Sequence, residues 1–388
     1  MTMINTKLQN LRIKGNLDKN EYRPSRYGAL ELFMNETDNP AGIITSELKE
    51  KAISSIGRTI DIPVIDYDGD ISIGSSRSVT ISDSENTSQI MNLTFVTYAW
   101  GFTQVPSMFT NNEYAADEDF RRKMVAYINK FAATLDLAAI TKLAADKTQV
   151  FNDTLDYSVV GNSIQCPWKL RENVIGDLDP LMSANDYFNE IHLVGNGGME
   201  SIINKLAQKG LYNEVNKQME YAGKILHFTP RITNDTGKYA TFYGVAGGMV
   251  GLLTRFEREA VIGRVSRTGH EWGIDNLPGL NFPIGTYYYE SVGDYNAING
   301  DASADLTRAW KQHYGFAVDV AFVTAYNSDP TTLANPIMKV EVAQEAYSDY
   351  EKVVIGNTAV DPVYTRTAPT PTPTPTPTPV PPTPTPTA

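Results

Sequence analysis

DEDFRRKMVAYINKFAATLDLAAITKLAADK, residues 117–147, is the stretch on which the fold turns. Neither glycine nor proline occurs between Pro106 and Gly161. Phe120, Met124, Ile128, Phe131, Leu135 and Ala138 follow one another at intervals of four, four, three, four and three residues. That is the spacing of one stripe on an amphipathic helix. Asp117, Glu118 and Asp119 stand at its start, where the helix dipole favours anions, and Lys142 and Lys147 stand near its end. A helix over 117–147 is roughly 45 Å long, more than a small domain is wide. The stripe alone describes any long core helix, so its flanks decide what it belongs to.

Upstream, 59–105 has the period of a strand. Ile60, Ile62 and Val64 alternate with polar residues, and Ile71 and Ile73 do so after a turn at Asp68-Gly69-Asp70. Val79 and Ile81 follow, then Leu93, Phe95 and the run Thr97-Tyr98-Ala99-Trp100. A long, thin β excursion with one modest apolar face cannot bury itself and must lie on something else. Residues 1–45 have weak periodicity, broken by Pro24, Gly28, Pro40 and Gly42, and read as an extended arm. A short helix is expected over 46–55, with Ser46 as its N-cap.

Downstream, 150–185 reads as mixed and irregular. A strand over 187–194 leads through Gly195-Asn196-Gly197-Gly198 into a helix over 199–209, and a second helix is expected over 212–221. Short strands are expected at 224–228, 239–245, 248–255 and 260–265. An irregular Gly/Pro/aromatic stretch at 269–299 precedes a helix at 302–311 and strands at 316–325 and 337–342. Helices and strands mix without regular βαβ alternation, so the class is α+β. From Ala368 the chain is Pro-Thr repeats, with ten of the 22 prolines in the last twenty residues. Such a segment is a polyproline II spacer that advances about 3.1 Å per residue and has no core of its own.

Length and charge bound the function. The 388 residues suffice for two domains, and 41% hydrophobic content allows a sizeable core. There is no apolar run of about 18 residues, so no membrane span is expected. Met1 to Leu11 is polar and reads against a secretion signal. The single Cys166 makes no internal disulfide and no cysteine-based zinc site. A net charge of −12 argues against a protein that grips nucleic acid, though not against one that lies beside it without gripping it. The charge is uneven. Residues 1–30 carry Lys7, Arg12, Lys14, Lys19, Arg23 and Arg26 against Asp18 and Glu21. Residues 60–105 carry Asp61, Asp66, Asp68, Asp70, Asp83 and Glu85 against Arg77. Arm and loop are therefore opposite fields, either as two separate solvated surfaces or as partners that meet between subunits.

No catalytic or binding motif survives inspection, and no catalytic, cofactor-binding or metal-binding residue is assigned. Asp66-Tyr67-Asp68-Gly69-Asp70 begins like a calcium loop, but its glycine is fourth and Arg77 stands twelfth, where an EF-hand needs glycine sixth and glutamate twelfth. Gly195-Asn196-Gly197-Gly198 sits where phosphate loops sit, but Glu200 breaks the G-x-G-x-x-G spacing, and a tight strand-to-helix turn is the better reading. His192, His227, His270 and His313 are scattered, and His270-Glu271 lacks a zincin's second histidine. No G-x-S-x-G elbow occurs. The reading is of a protein that is not an enzyme.

The order of parts carries more than any motif. A basic arm, a short helix, a long β excursion, one long helix, a compact α+β region and returning strands follow in turn. So ordered, the chain resembles the Hong Kong 97-type fold of tailed-bacteriophage major capsid proteins. Local phrases are similar too: Leu137-Ala138-Ala139-Ile140-Thr141-Lys142-Leu143-Ala144-Ala145 in the helix, and Ile191-His192-Leu193-Val194-Gly195-Asn196 further on. The likeness covers about 1–355 and excludes the Pro-Thr tail. It implies an N-terminal arm and short helix at 1–58, an extended loop at 59–105, and a peripheral domain at 106–186 with its spine helix at 117–147. It further implies an axial domain at 187–312, returning peripheral strands at 313–355 and a separate tail at 356–388.

The function so implied is an icosahedral or prolate shell around double-stranded DNA, assembled in the host cytoplasm and carried in the virion. The expected partners are the chain itself, as pentamers and hexamers, with scaffolding, portal and decoration proteins; DNA is contacted non-specifically, and no membrane or cofactor is involved. Some members of the family join subunits through a lysine of the extended loop. Residues 59–105 contain no lysine, so covalent cross-links are not expected. The alternatives are an encapsulin-like nanocompartment shell, which shares the fold, and a secreted carbohydrate-active enzyme or binding module with a Pro-Thr linker.

Overall fold

The computed structural model describes residues 27–55, 57–65, 88–106, 113–147, 154–184, 187, 190–206, 220–221, 223–256, 270–277, 280, 282–293, 309–325 and 336–345. The chain divides into Met1–Gln344 and Glu345–Ala388, and every element below belongs to the first unit. In order these are α1 (Gly28–Thr37), α2 (Ser46–Ser54), β1 (Thr59–Ile65), β2 (Ser88–Thr94), β3 (Val96–Gln104), α3 (Glu113–Ala145), β4 (Ser158–Val160) and β5 (Ser163–Cys166). Then come α4 (Val174–Ser183), β6 (Ile191–Gly195), α5 (Gly197–Leu206), β7 (Glu220–Tyr221), β8 (Lys224–Phe228), β9 (Lys238–Ala246) and β10 (Val250–Arg255). The last are β11 (His270–Leu277), β12 (Phe282–Gly293), β13 (Ala309–Thr324) and β14 (Ile337–Ala343). The class is α+β, as the sequence implies.

The long helix is present as α3, with 33 residues. Phe120, Met124, Ile128, Phe131 and Leu135 are all buried, as the stripe requires. Ala138 is only half-buried, and the stripe continues instead through Ala139 and Leu143, both fully buried. Each large side chain so covered contributes about 1.5–3 kcal/mol relative to exposure. At the first turns Arg121 and Arg122 both bind Glu118 and hold its carboxyl down at about 2.

Beneath α3 lies a five-stranded antiparallel sheet in which β13 pairs with β12, β10 and β3, and β11 flanks β12. Aromatic side chains fill the layer between. Phe102 meets Phe120 edge-on at 5.4 Å, Phe131 meets Phe282 at 5.5 Å, and Trp100 stacks on Phe316 at 4.0 Å. The second sheet has seven strands in the order β4-β5-β14-β9-β6-β8-β7. Its central strands β6 and β9 are buried on both faces over most of their length, whereas the edge strand β4 is exposed. Ile191 and Leu193 face α4 and α5, while Val194 joins the core under α3.

Several expectations need correction. The arm 1–45 is not extended throughout: α1 buries Leu30, Leu32 and Phe33 against α3 and the sheets. Tyr27, at its N-cap position, makes no side-chain cap, so the helix carries no local start signal. α2 is capped by Thr45, which accepts from the Leu48 N–H, rather than by Ser46. The stretch 269–299 contains the paired strands β11 and β12. The helix expected at 302–311 overlaps the start of β13, which pairs with β12 from Ala309. Glu220–Tyr221 is a strand beside β8 rather than a helix end. The expected helix at 212–219, the strand at 260–265, the basic residues of the arm to Arg26 and the acidic loop from Asp66 to Glu85 lie outside the described residues.

The sheets also cut across the expected segments. Within 59–105, β1 and β2 pair with each other, whereas β3 pairs with β13 of the five-stranded sheet. β10–β12, expected in the axial segment, lie under α3, whereas β14, expected to return with β13, inserts between β5 and β9 of the other sheet.

Candidate functional site

An open surface lies along α3 where the helix meets the strands beside it. A groove of about 850 Å³ runs between α3, β2, β3 and β13, lined by Met91, Val96, Tyr98, Leu137, Thr141 and Phe322 among others. Leu137 is 52% exposed and Val96 54%, unusual for residues of their size beside a large core. The threonines of α3 do not make the groove polar. Thr134 and Thr141 donate back to the carbonyls of Lys130 and Leu137, at 2.9 and 2.8 Å. At the far end Asp146 accepts from Lys142 at 2.8 Å and from the Thr324 hydroxyl at 2.5 Å.

The β1–β2 hairpin rises beside this groove, and its root is pinned by one buried arginine. Arg255, at the end of β10, is 4% exposed and donates to Asp319 at 3.2 Å, to the Ser55 carbonyl at 3.2 Å and to the Gly57 carbonyl. Thr97 donates to the other Asp319 oxygen at 2.6 Å. The guanidinium also lies over the Phe95 ring, 5.0 Å from its centroid. Ile60, Leu93 and Phe95 close the cluster against Ile44, Ala52, Leu253 and Val323. Above the root Ile90 is 67% exposed.

A second buried polar group anchors α1. Asp136, in the middle of α3 and fully buried, accepts from the backbone N–H groups of Ala29 and Leu30 at 2.9 and 3.0 Å. It also accepts from the Thr229 hydroxyl at 2.5 Å and lies 3.4 Å from Arg231. α1 is therefore capped from 107 residues away. Gly28 allows this approach, since a Cβ there would stand 2.7 Å from the Phe228 nitrogen.

The motif candidates resolve as follows. Asn196 of Gly195-Asn196-Gly197-Gly198 caps α5, accepting from Gly198 and Met199 at 3.1 and 3.4 Å. A Cβ on Gly198 would meet the Tyr239 carbonyl at 2.3 Å, so the glycine serves close packing. Cys166 is buried, and burial pushes its thiol up to about 12, so it is no nucleophile. His313 stacks on Tyr289 at 4.4 Å and bonds Ser291 and Thr103. His192 and His227, 35 residues apart, come together with ring centroids 5.6 Å apart, beside Glu36 and Glu31 of α1. Nothing in their linear spacing marks them as neighbours; only the parallel pairing of β6 with β8 does. Asp66 to Asp70 lies outside the described residues, as does the side chain of His270. Among the described residues no group of three or more His, Cys, Asp or Glu is placed to hold a metal ion, and no helix is long and apolar enough to cross a membrane.

No protein-family model matches the chain, and no curated protein matches it. Solved structures do resemble it. One is the capsid structure of the cyanophage P-SCSP1u, at 8% identity and a TM-score of 0.44 over 76% of this chain and 86% of that one. Another is from Microbacterium phage Oxtober96, at 12% identity and 0.42 over 76% and 90%. A third is the capsid of an empty GTA particle, at 12% identity and 0.41 over 78% and 92%.

Proposed function

We propose that the chain is a shell-forming structural subunit that acts by self-association and not by catalysis. More particularly, it is the major capsid protein of a tailed bacteriophage, with a Hong Kong 97-type fold. The observation that carries this reading is a long helix over a five-stranded sheet, flanked by an open groove that exposes Leu137 and Val96 and by the paired strands β1 and β2 with Ile90 exposed. Further copies bury such surfaces in a closed symmetric assembly.

In this reading α3 and the five-stranded sheet form the peripheral domain. The seven-stranded sheet with α4 and α5 forms the axial domain, and β1–β2 is the extended loop. Pentamers and hexamers build an icosahedral or prolate shell in the host cytoplasm. Its acidic charge keeps contact with enclosed double-stranded DNA non-specific. Scaffolding, portal and decoration proteins are further partners. The Pro-Thr tail acts either as an exterior spacer or as a strap across adjacent subunits; truncation after Thr365 separates these, since a strap requires that assembly suffer.

Negative-stain microscopy of the expressed full chain, alone and with its gene neighbours, tests the central proposal. Closed shells or ring-shaped capsomers are the expected outcome, and their contents distinguish DNA from a protein cargo. A chain that stays monomeric under all these conditions refutes it.

A further inference from the structure

Between α1 and the seven-stranded sheet runs a line of four titratable side chains that self-association does not require. Glu36 Oε1 lies 3.0 Å from His192 Nε2, His192 Nδ1 lies 3.3 Å from His227 Nε2, and His227 Nδ1 lies 3.8 Å from Glu31 Oε2. The side chains of Glu36, His192 and His227 are at most 6% exposed, whereas that of Glu31 is 40% exposed. One end of the line is sealed and the other reaches water.

The hydrogen-bond network fixes where the protons sit. Burial pushes the Glu36 carboxyl up, but bonds from His192, from Asn39 at 3.0 Å and from the Gly248 N–H at 2.5 Å outweigh it and hold it down at about 2. Glu36 is therefore an ionised acceptor, and His192 donates to it through Nε2. A neutral His192 then presents a lone pair at Nδ1, which takes the hydrogen of His227 Nε2. A neutral His227 is left with a lone pair at Nδ1 facing the Glu31 carboxylate, two acceptors with no hydrogen between them. One proton on His227 Nδ1 turns that gap into a charge-assisted N–H···O bond. A second proton, on His192 Nδ1, sets two N–H groups against each other and breaks the bond between the rings.

We propose that α1 is held to the seven-stranded sheet by a one-proton latch, in which mild acidification loads His227 Nδ1 and closes its contact with Glu31. The other charged groups packed on these elements are committed elsewhere. Asp136 of α3 binds Arg231 and Thr229, and Lys224 at the start of β8 binds Asp179 of α4 at 2.8 Å. Glu190 before β6 is exposed, and its carbonyl takes the Gly247 N–H at 2.7 Å. From the β9–β10 turn the group facing Glu36 is the Gly248 backbone N–H. That turn, with Gly248 at φ 78°, is where the chain passes from one sheet to the other.

The test is hydrogen exchange of the α1 amides in the full chain at about pH 8 and about pH 6, corrected for intrinsic rates. Wild type is compared with Glu31→Gln and His227→Gln. The expected result is that α1 protection in wild type gains about fivefold over Glu31→Gln on acidification, the scale of a half-exposed ion pair, and that His227→Gln also loses this gain. If Glu31→Gln keeps the wild-type response, or if His227→Gln keeps it, the latch is refuted. Should His227→Gln fail to fold, the half-exposed Glu31→Gln decides alone.

Discussion

Asp136 shows how one side chain can set the position of a whole segment. Its carboxylate supplies the N-terminal cap that α1 lacks locally. Burial raises its pKa above the ordinary aspartate value, so the fold holds its proton more tightly than the unfolded chain does. Ionisation of this group consequently works against stability as pH rises. Asparagine keeps the acceptor for the two N–H groups and removes the buried charge. Asp136→Asn is therefore expected to unfold within about 1 kcal/mol of wild type, while Asp136→Ala, which orphans both N–H groups, loses about 3 kcal/mol. Thermal or denaturant unfolding measures both, and the ordering fails if alanine is as well tolerated as asparagine. Glycines give a parallel contrast. Gly28→Ala drives a Cβ into the β8 backbone and costs about 2 kcal/mol. Gly176→Ala, in α4 with nothing within 4 Å, gains about 0.5 kcal/mol.

At the scale of elements, legibility tracked how local the stabilising contacts are. The stripe from Phe120 to Leu135 announces α3 because five buried positions share one face of one helix. β8 was read at Lys224–Phe228, the residues it occupies. α1 was illegible because its cap, its glycine contact and its burial all come from partners about a hundred residues or more away. The hairpin root was likewise invisible, since Arg255 gathers groups from Ser55, Gly57 and Asp319. Arg255→Ala is expected to destabilise by roughly 3–5 kcal/mol, because it leaves Asp319 charged and buried. It should also raise protease sensitivity at 59–94, and intact resistance there would show that the root is held by apolar packing alone. As for the candidate site, the strand-to-helix turn at Gly195 is legible from its residues, with Asn196 capping α5, whereas the meeting of His192 and His227 is not.

For the whole molecule, the proposed shell role makes the open surfaces the contacts through which copies assemble. Leu137 and Val96 touch the groove but not the core, so Leu137→Glu is expected to leave the unfolding midpoint within about 0.5 kcal/mol of wild type. Particle yield by sedimentation should nevertheless collapse; unchanged particles would place the contact elsewhere. With no lysine in 59–105, boiled particles are expected to run as a single band on a denaturing gel, and a ladder of oligomers would contradict this.

The placement of β13 and β14 has a consequence for biosynthesis. β3 waits for β13 across a separation such as the 222 residues between Thr97 and Asp319, and β5 and β9 stay apart until β14 enters between them. A nascent chain still on its ribosome therefore holds two incomplete sheets with unpaired edges, which other chains can mispair with. It also lacks one wall of the groove, since Val320 and Phe322 belong to β13. On the proposed shell role, copies made side by side on one messenger dock through that surface only after the C-terminal strands have emerged, which makes completion of translation the licence for assembly.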